Sequence, residues 1–231
     1  MTKTALIVGA GSGNSASLSG LLAREGWVVH LAARNTGKLA ELARETEARL
    51  HVCDAKEPAS VAALFASVTG RLDAVIANPS ARVRGPIADI DPEEVRTALE
   101  VTAFGSFLVG QQAARRMLQQ PPENGRRGTI LMTGASAGVK GFAQSAAFAM
   151  GKFAQRGLAQ SMSRELHPKG IHVAWINIDG GIRNPGRVEP TDAPASMLDP
   201  DAVAQTYLGL IDQHPSAWLS EIAIRPWVER F

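Results

Sequence analysis

The stretch that most constrains the fold is a short apolar run, Thr4 to Val8, followed at once by a glycine-rich segment. Glycine occupies positions 9, 11 and 13 there. This pattern predicts a buried strand, a tight turn and a helix start, in which glycine lets the backbone approach a ligand closely. Because the N–H groups and dipole of a helix N-terminus attract anions, the segment is typical of dinucleotide phosphate binding, with an ordinary strand-to-helix turn as the alternative. The candidate phosphate-binding residues are Gly9, Gly11, Ser12, Gly13, Asn14 and Ser15.

The composition is that of one soluble domain covering residues 1–231. The chain is 45% hydrophobic, enough for a single well-filled core. Its 24 basic and 22 acidic residues are spread along the sequence, so the net charge of +2 indicates no nucleic-acid partner. No apolar run approaches the roughly 18 residues of a membrane span, and the single Cys53 excludes an internal disulfide. We therefore expect a cytoplasmic protein with no membrane partner, and the histidine and cysteine spacing favours no metal site.

Strand-like and helix-like segments alternate along the whole chain. Such alternation predicts an α/β fold with one doubly wound parallel sheet of about seven strands, helices on both faces and a ligand at the carboxyl ends of the strands. The predicted strands are residues 4–8, 27–32, 50–53, 72–77, 128–133, 171–178 and 218–224. The predicted helices are residues 17–24, 38–47, 58–68, 91–118, 145–167 and 201–213. The proline-rich stretch from Arg183 to Pro200 is typical of a mobile lid.

The end of the second strand predicts which cofactor is bound. Folds of this kind recognise the adenosine ribose there, with a carboxylate for a free 2′-hydroxyl or an arginine for a 2′-phosphate. The sequence offers Ala33 and Arg34 and no carboxylate, which favours NADP(H) over NAD(H). Asp54, after the third strand, is a plausible contact for the adenine edge.

Several motifs fall at matching places along the chain. Gly9 and Gly13 fit a Gly-x-x-x-Gly-x-Gly loop whose last glycine is Ser15 here, and Asp54 follows the third strand. Asn78-Pro79-Ser80 follows the fourth strand where Asn-Ala-Gly is expected, and Asp179-Gly180 stands roughly where Pro-Gly is expected. In this pattern the chain resembles the short-chain dehydrogenase/reductase family over essentially its whole length. The resemblance implies a Rossmann-type NADP(H)-binding domain in which Asn78, Asp179 and Gly180 also contact the cofactor.

The catalytic residues that the resemblance implies are largely replaced. The family's Tyr-x-x-x-Lys motif supplies a phenolic acid and a lysine that holds the ribose, and it appears here as Phe148 to Lys152. Thirteen residues before Phe148, where the family has its serine, stands Ala135, with Ser136 next to it. The family's helical asparagine falls near Thr102. The candidate catalytic residues are Lys152, Phe148 and Ser136, and the only tyrosine, Tyr207, is expected to be a packing residue with its hydroxyl at the surface.

These replacements leave more than one function open. The chain is expected to be an NADP(H)-dependent oxidoreductase that transfers hydride to a small carbonyl compound or an activated alkene. Its proton would come from Lys152, from water held by Ser136 or Ser145, or from Asp179. The alternative is a catalytically silent NADP(H)-binding regulator or assembly partner, and a structural domain without a ligand is a third, weaker interpretation.

Two helical stretches, residues 102–112 and 146–158, are rich in small residues and only modestly polar. In the family that the chain resembles, the equivalent helices pack across a subunit interface, and small residues allow close approach. We therefore expect a homodimer or homotetramer. The alternative is that this chain alone covers both helices.

Overall fold

The structure is a computed structural model of the chain, and it describes residues 2–229. Seven parallel strands form one sheet in the order β3-β2-β1-β4-β5-β6-β7, which confirms the predicted sheet. Every pairing of neighbouring strands is parallel. The strands are β1 Thr4–Val8, β2 Val28–Ala33, β3 Arg49–Val52, β4 Ala74–Ala77, β5 Gly128–Thr133, β6 Ile171–Ile178 and β7 Glu221–Ile224.

Helices cover both faces of the sheet and bury an apolar cluster on each. One cluster includes Val109 and Trp175, and the other includes Leu18 and Tyr207. Because β1, β4, β5 and β6 are buried along their whole length, these strands read as continuous apolar runs in the sequence. The helices are α1 Asn14–Arg24, α2 Ala40–Thr46, α3 Pro58–Ser67, α4 Pro92–Leu99, α5 Gly105–Leu118, α6 Ala146–Leu166 and α7 Pro200–Asp212.

Local sequence signals fix several of the helix ends. Asp91 caps α4 by accepting a hydrogen bond from the Glu93 N–H at 2.9 Å, and Asp199 caps α7 by accepting one from Asp201 at 2.8 Å. After α6 a short 3₁₀ turn leads to Gly170, which ends the helical path with a left-handed φ of 81°. None of the helices within residues 2–229 is both long enough and apolar enough to cross a bilayer.

The predicted helix over residues 91–118 is wrong in one respect. Between α4 and α5 the chain forms a π-helical turn, Glu100–Phe104, so the segment is continuous but widened in the middle. Smaller differences lie at the ends of other elements, since α1 begins at Asn14 rather than Ser17 and β7 begins at Glu221 rather than Trp218. An early α1 start brings Asn14 and Ser15 into the first turn of the helix, next to the glycine loop.

Candidate active site

The glycine loop turns sharply at the carboxyl end of β1. Gly9 has a φ of 79°, and a Cβ placed on it would lie 2.8 Å from the backbone carbonyl of Asn78. A residue with a side chain is therefore excluded at position 9 both by conformation and by space. The loop is fixed from both sides: the Gly9 N–H donates to the Ala32 carbonyl at 2.9 Å, and the Asn78 Nδ2 donates to the Gly9 carbonyl at 2.9 Å.

The start of α1 has the features of an anion site. Gly13 stands at the N-cap and offers no side-chain acceptor to the first N–H groups of the helix. The Asn14 side chain is buried, yet its Oδ1 has no hydrogen-bond partner within residues 2–229. A buried polar atom without a partner costs free energy unless a ligand or water satisfies it. The open N-cap fits a bound dinucleotide diphosphate, whereas the orphaned oxygen is an acceptor and fits a hydroxyl group of the ribose.

A cavity of about 270 Å³ continues from the loop to the ends of β2 and β3, and it matches the expected adenosine end of the site. Arg34 lines it, is exposed, and has no hydrogen-bond or ion-pair partner among residues 2–229. Asp54 also lines this cavity, and its Oδ1 accepts a hydrogen bond from the Lys56 N–H at 3.3 Å. The structure thus brings Gly9, Arg34, Asp54 and Asn78 together around one cavity, as the sequence predicts.

Lys152 lies at the centre of the site and is almost completely buried. Its Nζ donates to the Thr133 carbonyl at 2.6 Å and to the Gln155 Oε1 at 3.2 Å. Gln155 is held in turn, because its Nε2 donates to the Ser106 Oγ at 2.8 Å and Ser106 donates to the Thr102 carbonyl at 2.6 Å. A chain of buried polar groups across α5 and α6 therefore fixes the position of the amine.

Burial changes the acid strength of this amine. Burial, together with the smaller effect of the nearby positive charge of Arg82, lowers the pKa of Lys152 from 10.5 to about 7. No carboxylate lies within hydrogen-bond reach of Nζ among residues 2–229. An amine with a pKa near 7 can both give and take a proton at neutral pH, so Lys152 has the acid strength of a general acid or base.

Phe148 forms an apolar wall of the same cavity. It is 7% exposed and packs on Ala135 and Ala137. The guanidinium carbon of Arg82 lies 4.2 Å from the centre of its ring, and the Lys152 Nζ lies 6.0 Å from that centre. Phe148 presents its ring and no polar atom, while a guanidinium covers the ring as a cation–π partner.

Two cavities meet at this wall. The central one, about 270 Å³, is lined by glycine-loop residues, Lys152 and Gly180. The outer one, about 390 Å³, extends past Ser136 and Ser145. Phe148 and Ala135 belong to both. The arrangement fits a nicotinamide ring in the central cavity and a substrate reaching into the outer one. Ser136 lies on the substrate side and does not line the cavity that holds Lys152.

Thr102 lies on the π-helical turn and acts on the loop after β4. It is buried, and its Oγ1 accepts a hydrogen bond from the Ala81 N–H at 2.9 Å. The turn also packs closely on α6, since a Cβ placed on Gly151 would lie 3.0 Å from Thr102. Thr102 therefore positions the residue next to Arg82 and does not itself line either cavity.

The structure corrects two side-chain expectations. The hydroxyl of Tyr207 does not lie at the surface: the residue is fully buried, and its hydroxyl lies 2.8 Å from the Thr133 Oγ1. Burial raises the pKa of Tyr207, so this phenol is no substitute for the missing acid. Asp179 is buried beside Arg225, with 3.4 Å between its Oδ2 and the Arg225 Nη2, and it lines neither cavity. Its carboxylate is therefore poorly placed to give a proton to a bound carbonyl compound.

Sequence reasoning missed several residues that the fold brings to the site. Gln155 follows Lys152 by three positions, a helical spacing that could have identified it. Arg82 and Arg84 follow the recognised Asn78-Pro79-Ser80 segment and so were close to a known signal. Arg187 belongs to the loop between β6 and α7, and no local pattern indicates that it lines the central cavity.

Comparisons with known proteins agree with this geometry. A family profile described as short chain dehydrogenase matches residues 3–193. Among curated proteins, the L-2,3-butanediol dehydrogenase of Corynebacterium glutamicum is 29% identical over 218 residues, covering 90% of this chain and 82% of that protein. Among solved structures, a short-chain dehydrogenase from Rhodopseudomonas palustris is 35% identical with a TM-score of 0.82, covering 97% of this chain and 99% of its own. A metagenomic short-chain oxidoreductase in complex with NADP is 25% identical with a TM-score of 0.83, covering 98% of each chain.

Proposed function

The chain belongs to the short-chain dehydrogenase/reductase family, and on that premise we propose that it is an NADP(H)-dependent oxidoreductase acting on a small carbonyl compound or an activated alkene. The observation that carries this proposal is the position of Lys152, a buried amine with a pKa of about 7 that lines the central cavity. It supplies an acid where the sequence has lost the tyrosine.

Residues around the cavities would bind three parts of the cofactor: the diphosphate, the 2′-phosphate and the nicotinamide ring. The glycine loop and the open N-cap of α1 would hold the diphosphate, and the unpartnered Arg34 would pair with a 2′-phosphate. The metagenomic relative was solved in complex with NADP, which supports a nicotinamide dinucleotide as the cofactor. When bound, the nicotinamide ring supplies the hydride. Gly180 lines the cavity where that ring would lie.

Lys152 would complete the reduction of a carbonyl group by moving one proton. As the carbonyl carbon gains hydride, the electron pair of the C=O bond passes to oxygen, which needs a proton. An N–H bond of the Lys152 ammonium breaks, an O–H bond forms, and a neutral amine remains. Two of the N–H groups on Nζ are held by Thr133 and Gln155, and the third has no acceptor among residues 2–229. Phe148 lines the same cavity with its ring only and so offers no polar atom that would compete for this proton.

One observation favours a second candidate function, a protein that binds NADP(H) without turning it over. Phe148 packs against Ala135, so the positions that carry the acid and the polarising serine in related proteins are both apolar here. General acid catalysis is worth roughly a hundred- to ten-thousand-fold in rate, and a benzyl ring contributes none of it. In this second candidate Lys152 holds the cofactor ribose and moves no proton.

Oxidation of NADPH by the unmodified protein over a panel of ketones, aldehydes and enones separates the two candidates. The oxidoreductase proposal predicts measurable turnover, loss of about a hundred-fold or more in Lys152→Met, and retained turnover in Phe148→Leu. Calorimetric titration of NADPH into Lys152→Met controls for lost cofactor binding. Turnover that appears only in Phe148→Tyr would instead support the silent binder.

We also propose that the protein is a homo-oligomer formed through α5, α6 and the π-helical turn. Phe104 and Phe107 are exposed on one helical path, and Met150 and Phe153 are exposed on the other. Each pair is three residues apart and so shares a helix face. Because these helices pack on each other, the exposed apolar groups would be covered by the same surface of a second copy.

A further inference from the structure

The two cavities at the active site are positively charged and contain no opposing charge. Lys152 and Arg187 line the central cavity, Arg84 lines the outer one, and Arg82 lines both. Within residues 2–229, no aspartate or glutamate lines either cavity. A cleft lined by charges of one sign attracts ligands of the opposite sign.

The three arginines also lack acidic partners elsewhere. None of them forms an ion pair among residues 2–229, whereas nearby Arg183 pairs with Asp199. The pKa of Arg82 is lowered by burial and by the positive charges of Arg187 and Arg84, so both of these arginines lie close enough to repel Arg82. A guanidinium does not release its proton in proteins, so an anion is the group that relieves this repulsion.

The positions of the three arginines divide them between the cofactor side and the substrate side of the site. Arg187 shares the central cavity with Gly11 and Gly13, where the cofactor diphosphate would lie. Arg84 lines only the outer cavity, beyond the Phe148 ring. Arg82 lies between them, with its guanidinium over that ring. The cofactor phosphates therefore account for Arg187 but leave Arg84 and the outer side of Arg82 without a counter-charge.

The segment that carries Arg82 and Arg84 is fixed at both ends, although both side chains are exposed. Just before it, the Ala81 N–H donates to the Thr102 Oγ1 at 2.9 Å. Just after it, the Gly85 N–H donates to the Gln144 carbonyl at 3.2 Å. Both arginines are consequently held at the rim of the outer cavity, and less conformational freedom has to be lost when they bind a ligand.

We propose that the substrate carries an oxyanion, a carboxylate or a phosphate ester, which Arg84 and Arg82 bind in the outer cavity while the reacting carbonyl or alkene lies beside Phe148 and Lys152. This inference rests on the proposed function and names its substrate class. The planar fork of arginine binds carboxylate and phosphate oxygens through paired hydrogen bonds, which suits both sources of the anion. Phe142 and Ala137 form apolar walls of the outer cavity, which suit an uncharged part of the substrate between the anion and the reacting group.

Matched pairs of ligands test the anion directly. Dissociation constants are measured by calorimetry, with and without saturating NADP⁺, for phenylpyruvate against phenylacetone and for dihydroxyacetone phosphate against dihydroxyacetone. We expect the anionic member of at least one pair to bind about ten- to a hundred-fold more tightly than its neutral partner. The preferred pair identifies the anion as a carboxylate or a phosphate.

Two variants locate the binding site. Arg84→Gln should reduce the preference for the anion to less than about three-fold while leaving NADPH affinity unchanged. Arg44→Gln makes the same substitution at an exposed residue of α2 that lines neither cavity, and it should keep the preference. Equal binding within both pairs, or an unchanged preference in Arg84→Gln, overturns the inference. If the protein prefers the anion but does not bind NADPH, the inference is supported and the proposed function is overturned. If it binds NADPH but shows no preference for the anion, the inference is overturned and the proposed function stands.

Discussion

At the scale of single residues, the proposed function depends on a buried amine beside an apolar ring. Phe148 carries no acidic group, and Lys152, one helical turn away, has its pKa lowered to about 7. Two uncharged acceptors, the Thr133 carbonyl and the Gln155 amide, hold the amine. Neither acceptor carries a negative charge, so neither raises the pKa of Lys152 back toward the ordinary value of lysine.

This burial predicts a specific dependence of stability on pH. The folded pKa is depressed, so between pH 7 and 10.5 the unfolded chain holds a proton that the folded chain has released. The free energy of unfolding should therefore rise with pH across this window, by up to about 1.4 kcal/mol per pH unit. In Lys152→Met this contribution disappears. Urea denaturation at pH 6 to 10 measures this effect. The free energy of unfolding of Lys152→Met should exceed that of the unmodified protein most at low pH, and the difference should shrink as the pH rises.

A matched substitution controls for general effects of replacing lysine by methionine. Lys140 is exposed, so Lys140→Met should follow the pH dependence of the unmodified protein. If Lys152→Met also follows it, then Lys152 has an ordinary pKa in the folded protein and its proposed role as the acid at neutral pH is wrong.

Some residue roles could be predicted from sequence and others could not. The positions of Gly9, Arg34 and Asp54 follow from where parallel strands end, and those residues do line one cavity. Tyr207 was misjudged because helical periodicity predicts which face is buried but gives no partner for a hydroxyl. Arg187 reaches the site through an irregular loop, for which a single sequence provides no geometry.

At the scale of elements, the long buried strands were the most predictable. The bounds of β1, β5 and β6 agree with the sequence prediction at both ends, because each is an apolar run bounded by polar or glycine residues. The π-helical turn, Glu100–Phe104, was not predictable from periodicity, since one extra residue in a turn hardly changes the apolar pattern. This turn nevertheless carries Thr102 and so affects the site.

Removing the Thr102 hydroxyl should loosen the loop that carries Arg82. Thr102→Val keeps the side-chain shape but leaves the Ala81 N–H without its acceptor, a loss of about 1 to 3 kcal/mol in unfolding free energy. Hydrogen exchange at the Ala81 amide should accelerate in parallel. Thr206→Val is the matched control, because the Thr206 Oγ1 donates only to the Ala202 carbonyl of its own helix. Equal protection of Ala81 in both variants would contradict the role given to Thr102.

At the scale of the whole molecule, the fold brings the regions proposed for cofactor and substrate to one edge of the sheet. The glycine loop follows β1 and Arg34 follows β2, and parallel pairing places these two strand ends side by side, while helix α6 brings Lys152 into the neighbouring cavity. Alternation of strands and helices was enough to predict this arrangement. Assembly was less predictable, because small residues along a helix fit either a subunit contact or packing within one chain.

The proposed assembly surface predicts the effect of one added charge. Phe153→Glu places a carboxylate on an exposed apolar residue of α6, so a dimer through this face should dissociate. Ile87→Glu adds the same charge to an exposed residue in the loop before α4 and serves as the control. Light scattering should show an oligomer for the unmodified protein and for the Ile87 variant, and a monomer for the Phe153 variant. A monomer in all three would contradict the assembly.

The central claim is that the site at the carboxyl ends of the strands binds a nicotinamide dinucleotide and that Arg34 binds its 2′-phosphate. Calorimetric titration of NADPH and NADH into the unmodified protein and into Arg34→Gln tests that claim most directly. We expect NADPH to bind about ten- to a hundred-fold more tightly than NADH, and the variant to lose that difference while still binding NADH. The absence of measurable binding of either nucleotide to the unmodified protein would contradict the claim.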